Sequence, residues 1–299
     1  MNNTDSARQW ALLAIVTTAV LWSLGGVLIK AIDWHPAAIA GIRSAIAAVV
    51  LACLFHRRLR FPRSPYIWAG ALAYAIMMIT FVAATKLTTA ANAIFLQYTA
   101  PIYVALFSRW FLNEPVTRRD GMIIAATVFG MSLFFVDRLS FSGFWGNLAA
   151  IGSGVAFAWT CMLVRKAGEA SVEPLLLGNI LAALMGLPFI FGDGPGWSGW
   201  MLLLVLGVFQ LGMAYACFSY AVRHLPALEI TLISTIEPIL NPIWVLLFLG
   251  EKPGIWAMVG GAIVLVCVTF KGVTSFRQPL ALSPADESVR PTPSSKTPG

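Results

Sequence analysis

The stretch 92–115, NAIFLQYTAPIYVALFSRWFLNEP, is an apolar run with Pro101 in its interior and Glu114-Pro115 at its end. A second stretch, 230–253, ITLISTIEPILNPIWVLLFLGEKP, repeats the plan, and Pro238 stands to Glu251 as Pro101 stands to Glu114. A self-match at an offset of about half the chain bears on architecture before any helix is assigned, because it makes the two halves equivalent.

Composition sets the solvent. The 299 residues are 59% hydrophobic and only 11% charged, with a mean hydropathy of +0.80, whereas soluble domains carry about 25% charged residues. Such a chain belongs in a bilayer. The net charge of +7 would suggest nucleic acid or another acidic partner in a soluble protein, but here the cations sit in short clusters between apolar runs, where topology and anionic lipid account for them. No nucleic-acid partner is expected. Cys53, Cys161, Cys217 and Cys267 each fall inside an apolar run, none in a CxxC or other metal spacing, and they read as small core residues. No metal or cofactor is implied.

About 20 apolar residues cross the hydrocarbon core. Runs of that kind cover 10–32, 37–55, 66–84, 90–111 and 121–136, then 144–164, 175–191, 200–220, 228–249 and 255–270. The first is too long for a signal-peptide core and lacks a cleavage site, so it reads as a span. The expectation is an all-α polytopic membrane protein with ten transmembrane helices. Residues 10–136 form one five-helix repeat and 144–271 the other. Residues 1–9 are a short N-terminal segment, and the Pro-, Ser- and Thr-rich tail 278–299 reads as disordered and cytoplasmic.

With the N-terminus inside, the inner segments collect Arg8, Arg57, Arg58, Arg60, Arg63, Arg109, Arg118, Arg119, Arg165, Lys166 and Arg223, with Lys271 and Arg277 after the last span; the outer loops hold only Lys30, Lys86, Arg138 and Lys252. That asymmetry predicts both termini in the cytoplasm. The offset that carries Pro101 to Pro238 also carries Trp22 to Trp159, Phe81 to Phe218 and Lys86 to Arg223. Five is odd, so the second copy enters the membrane from the opposite face and the repeats are inverted, a recurrent plan of secondary transporters.

In this doubled Pro and Glu-Pro pattern, with Trp22 and Lys30 in the first span and Arg43 in the second, the chain resembles the EamA-type drug/metabolite transporters over about 10–271. Within them it is most similar to bacterial inner-membrane exporters of aromatic amino acids. The resemblance implies a ten-helix basket around a central cavity lined mainly by the first, third, fourth, sixth, eighth and ninth spans, with no nucleotide hydrolysis. Two departures are visible: the second copy reads Glu251-Lys252-Pro253, and Asn179 stands near where a counterpart of Arg43 would fall.

Polar residues inside spans are costly and tend to face the bundle interior. Glu237 leads them, on one helical stripe with Ser234, Asn241 and Trp244. Its counterpart in the first repeat is Ala100. A carboxyl there is a candidate to carry a coupling proton or meet a substrate ammonium; a hydrogen-bonded packing role is the alternative. Pro101 and Pro238 each free a carbonyl four residues earlier, on Gln97 and Ser234, and bend the helix; a kink is the primary reading and substrate contact the second. Arg43 is a candidate for a substrate carboxylate through its two-pronged fork, or for a structural pair with helix-end carbonyls or Asp33. Lys30, Lys86 and Arg223 read as interfacial anchors.

Among the aromatics, Trp10, Trp68, Trp110, Trp197, Trp200 and Trp256 lie near span ends as an interfacial belt. Trp22, Met78, Phe81, Tyr98, Trp159, Tyr215 and Trp244 fall deeper, on spans that the resemblance places around the cavity. Rings and thioethers suit aromatic solutes, or else pack helices. A membrane-embedded enzyme acting on lipid-linked substrate is the competing class. Yet His35, His56 and His224 lie near span ends, without HExxH or GxSxG, and no Walker A loop is present. The expectation is a secondary transporter of small amphipathic metabolites, aromatic amino acids first, working in the export direction by alternating access, with other metabolites or drugs as the alternative cargo.

Overall fold

The computed structural model describes residues 3–59, 63–88, 90–136, 143–168, 172–191, 194–240 and 255–276. Asn241, Trp244, Glu251 and the tail 278–299 lie outside the described residues.

Every apolar run carries helix over its described part, and no strand occurs among the described residues. The first run is α1 (Asn3–Trp22) and α2 (Gly25–Ala31), separated by a turn; α3 (Pro36–Phe55) and α4 (Pro65–Leu87) follow. The fourth run is broken into α5 (Ala90–Gln97) and α6 (Ala100–Phe111), and α7 (Arg118–Phe135) completes the first half. The second half holds α8 (Phe144–Ala167), α9 (Val172–Gly186), α10 (Gly196–Val205), a π-helical segment (Leu206–Met213), α11 (Ala214–His224), α12 (Ala227–Ser234), α13 (236–240) and α14 (Ile255–Phe276). Among the described residues six stretches are each long and apolar enough to cross a bilayer: Ser6–Ala31, Pro36–Phe55, Pro65–Leu87, Phe144–Ala167, Val172–Phe189 and Gly196–His224.

Local chemistry sets several boundaries. Pro36 and Pro65 open α3 and α4, where a missing N–H costs nothing, and the His35 and Ser64 side chains accept from the backbone N–H two residues on. Thr117 and Asp120 form a reciprocal capping box at the start of α7. Lys30, late in α2, donates to the carbonyl of Thr88 beyond α4 at 3.0 Å, while Lys86, late in α4, donates to the carbonyl of Ile32 beyond α2. Each lysine therefore satisfies the orphan carbonyls of its neighbour's C-terminal end, a more specific role than a membrane anchor.

The halves interleave. Among the extensive helix contacts are α4 on α8, α3 on α9, α7 on α14 and α1 on α11, and α6 meets α12. In span numbers these are third on sixth, second on seventh, fifth on tenth, first on eighth and fourth on ninth. Exchanging the halves turns third-on-sixth into eighth-on-first and returns each of the other three pairs to itself, as inverted repeats about a pseudo-two-fold axis require. Where α3 crosses α9, a Cβ on Gly41 would lie 2.9 Å from Cα of Gly186, and one on Gly186 would lie 2.5 Å from the carbonyl of Ala37. Backbones approach this closely only without side chains, the usual device of helix packing in lipid.

The bundle's rim is apolar, as lipid demands: Trp10, Trp68, Trp110, Trp197, Trp200 and Trp256 are all exposed. Of the cysteines only Cys161 is fully buried, whereas Cys53 is exposed; an apolar run has an outward face, and Cys53 falls on it.

Candidate functional site

A narrow cavity of about 30 Å³ lies within the bundle, room for a water or two. Trp22 at the end of α1, Met78 and Phe81 on α4, Gln97 and Tyr98 at the α5–α6 break, Tyr215 on α11, Arg43 on α3 and Glu237 on α13 all line it. Eight expected site residues thus converge from both repeats. The second span contributes through Arg43, beyond the six spans expected from the resemblance.

The lining is a mesh of rings. Trp22 stands 5.1 Å from Tyr215 and 5.7 Å from both Phe157 and Phe218, centroid to centroid, and Tyr98 meets Phe157 edge-on at 6.2 Å. Phe157, Met77, Gln210 and Leu211 also line the cavity, and none was singled out from the sequence. Phe157 was missed because Trp159 is the offset partner of Trp22. Two residues along a helix is more than half a turn, so Trp159 faces away and packs on Phe107 and Phe111 of α6. Ser234 also lies outside the lining; it is buried, and its hydroxyl donates to the Ile230 carbonyl at 2.8 Å. Asn241 and Trp244 fall outside the described residues.

Glu237 is not an isolated carboxylate. The Tyr98 hydroxyl donates to it, joining the break in the fourth span to the ninth. Both residues are buried, at 2% and 6% exposure. Ala100 occupies Glu237's place in the first repeat, so this bond breaks the internal symmetry.

The two prolines act as breaks rather than smooth kinks. Helix α5 ends at Gln97 and α6 restarts at Ala100; α12 ends at Ser234 and α13 restarts at 236. Both sites tighten to three-residue hydrogen bonds, Thr99 N to Leu96 O at 3.3 Å and Thr235 N to Leu232 O at 3.1 Å. The Gln97 carbonyl released by Pro101 abuts Gly154 of α8, where a Cβ would lie 2.8 Å from it. The Gln97 amide donates to Ser153 Oγ at 2.7 Å, and Ser153 in turn donates to the Met77 carbonyl at 3.2 Å.

Arg43 is fully buried and does not pair with Asp33. Its Nη1 donates to Gln210 Oε1 at 3.3 Å, Nη2 approaches Met78 Sδ at 3.6 Å, and Nε has no partner among the described residues. Nearby, the Asn179 amide donates to the Tyr74 hydroxyl at 2.9 Å, so the residue standing near Arg43's counterpart supports a ring.

Polar contacts join helices of the two repeats toward both ends of the bundle. At the arginine-rich end, Arg8 forms a buried ion pair with Glu229 at 2.8 Å, and Arg165 pairs with Glu114. Glu114 also accepts from the first N–H of α12, Ala227, at 3.0 Å, while Arg165 donates to the Val222 carbonyl at 2.9 Å. The Glu of the Glu-Pro turn in one repeat thereby holds a helix end in the other. Lys271 pairs with Asp120 at 2.7 Å between α14 and α7. At the other end, Asn147 accepts from Thr88 and from Asn92, each at 2.9 Å. No cluster of metal-binding side chains occurs among the described residues.

Comparison with known proteins agrees with this geometry. The EamA-like transporter family model matches residues 9–136 and again 144–271. The pseudopaline exporter CntI of Pseudomonas aeruginosa is 25% identical over 273 residues, covering 88% of this chain and 95% of its own. The threonine/homoserine exporter RhtA of Salmonella typhimurium is 26% identical over 224 residues, 71% of this chain and 74% of its own. Human solute carrier family 35 member G1 is 26% identical over 281 residues, 83% of this chain and 74% of its own. A crystal structure superposes with a TM-score of 0.76 at 19% identity, covering 91% of this chain and all of the other; at that identity the likeness shows the fold.

Proposed function

The chain belongs to the EamA-like transporter family, and on that footing we propose that it exports small amphipathic metabolites, aromatic amino acids first among them, across the bacterial inner membrane by alternating access. The observation that carries this reading is the buried cavity itself: a wall of rings from both repeats, with a carboxylate, Glu237, among them. Rings offer an amphipathic side chain stacking surface, and the carboxylate offers its ammonium a partner. At about 30 Å³ the cavity is too small for an amino acid, so cargo enters only when one end of the bundle opens. Interleaved, exchange-symmetric halves permit that opening at either end by rocking.

The relatives named for export of threonine and homoserine and of pseudopaline support the direction and an amino-acid-like cargo. The arginine-rich end, with both termini, faces the cytoplasm under the positive-inside rule. Glu237 carries the coupling proton.

Counterflow in proteoliposomes tests the reading, with labelled phenylalanine, threonine, a nucleoside, a sugar or a cationic drug outside and the same unlabelled solute inside. The expected result is accumulation of labelled phenylalanine. Accumulation of another class alone replaces the cargo, and accumulation of none of them overturns the transport assignment.

A further inference from the structure

Arg43 lies two turns into α3, wholly buried and bordering the cavity. Among the described residues no carboxylate pairs with it. A guanidinium withdrawn from water needs compensation for its charge, and here the described residues give it an amide, a sulfur and nothing on Nε. The distribution of these partners is informative. Gln210 takes Nη1, whereas the edge formed by Nε and Nη2, one of the two edges on which a carboxylate binds with both oxygens, meets only a weak thioether acceptor.

Gln210 is set in place by backbone geometry. It sits in the π-helical segment Leu206–Met213, where the widened turn shifts the register of the side chains. That segment packs directly on α3 beside the arginine: a Cβ on Gly207 would lie 3.0 Å from the Arg43 carbonyl and 2.4 Å from Cβ of Ile46. The widened turn thus delivers an amide to the arginine from a helix that touches it.

The geometry points to an anion subsite in the cavity, in which Arg43 binds a carboxylate of the solute on its Nε–Nη2 edge and Gln210 is the positioning residue that holds the guanidinium from the other side. The inference rests on the transport reading above and deepens it. With Glu237 on the same lining, the cavity matches solutes carrying both a carboxylate and an ammonium, and it disfavours the corresponding amines, amides and esters. Such a site, built to pair a specific group, discriminates strongly against analogues lacking it.

The test is direct binding, read as the thermal midpoint of the detergent-solubilised chain titrated with 3-phenylpropionate or its uncharged twin, 3-phenylpropanamide. In the wild-type chain the acid is expected to raise the midpoint at concentrations at least about tenfold below those the amide requires. Gln210→Glu supplies Arg43 with an internal carboxylate; it is expected to abolish that preference while leaving the unliganded midpoint unchanged or higher. Arg43→Lys, which keeps the charge and loses the fork, is expected to shrink the preference severalfold. Acid and amide acting alike on the wild-type chain overturns the subsite, as does a preference that survives Gln210→Glu. A retained acid preference with no amino-acid counterflow leaves the subsite standing and overturns the amino-acid reading alone.

Discussion

The Tyr98 hydroxyl donates to the Glu237 carboxylate, so the two proline-broken spans, one from each repeat, are joined by a buried hydrogen bond at the cavity wall. A hydrogen bond contributes about 0.5–1.5 kcal/mol net, and any motion that separates the fourth span from the ninth must break this one. Protonation or a substrate ammonium changes what the carboxylate can accept, which links the occupancy of the site to the packing of the repeats.

Replacing Glu237 by Gln keeps the shape and an acceptor for Tyr98 but removes the titrating group. Uptake driven by a pH gradient in proteoliposomes is expected to be lost, with exchange of preloaded substrate retained. Coupling that persists in Glu237→Gln removes the proton from the proposed role of this residue.

The Arg8–Glu229 pair spans 221 residues of sequence, and its two side chains are 9% and 0% exposed. Breaking a buried pair from one side leaves an uncompensated charge, typically costing about 3–5 kcal/mol, while replacing both partners by apolar residues is often neutral. Glu229→Leu is therefore expected to melt well below the wild type, and Arg8→Met with Glu229→Leu to recover much of the loss. A double variant no more stable than the single one contradicts the pairing.

Glu114 gathers three elements, the end of α8 through Arg165, the end of α11 through Arg165 and Val222, and the start of α12 through Ala227. Glu114→Ala releases all three at the arginine-rich end. In a cysteine-free background, a cysteine placed at Phe81 should then react severalfold faster with a membrane-impermeant thiol reagent added from that side. An unchanged labelling rate shows that the turn does not hold that end shut.

Gly41 and Gly186 permit the crossing of α3 over α9. A valine at either position meets backbone, which cannot yield as a side chain does, and overpacking of this kind costs about 1–3 kcal/mol or more. A lowered melting temperature is expected for Gly41→Val and Gly186→Val, with no such drop for Gly152→Val, whose added Cβ meets nothing within 4 Å. Equal behaviour of the three variants overturns the close-packing account.

Much of the architecture was legible before any coordinates. Hydropathy marked the helical runs, because lipid forces backbone groups to pair within each segment. The offset between Pro101 and Pro238 marked the duplication, because the same ring blocks the same hydrogen bond in both copies. Glu237 and Arg43 stood out because a charge inside an apolar run is expensive wherever it lands. These are local properties, carried by composition and spacing along one strand of chain.

What pairs with what is of another kind. Trp159 matches Trp22 in sequence yet turns toward α6, and the ring that meets Trp22 is Phe157. Glu237 bonds to Tyr98, and Arg43 to Gln210, across 139 and 167 residues. Those partners follow from the way α6 lies on α8 and α12, and α3 on the widened turn at Leu206–Met213, which no periodicity announces. A helix's own pattern states which face is apolar; it does not state which helix will cover that face, because in lipid nearly any apolar surface satisfies another and the choice falls to close packing and a few buried polar bonds.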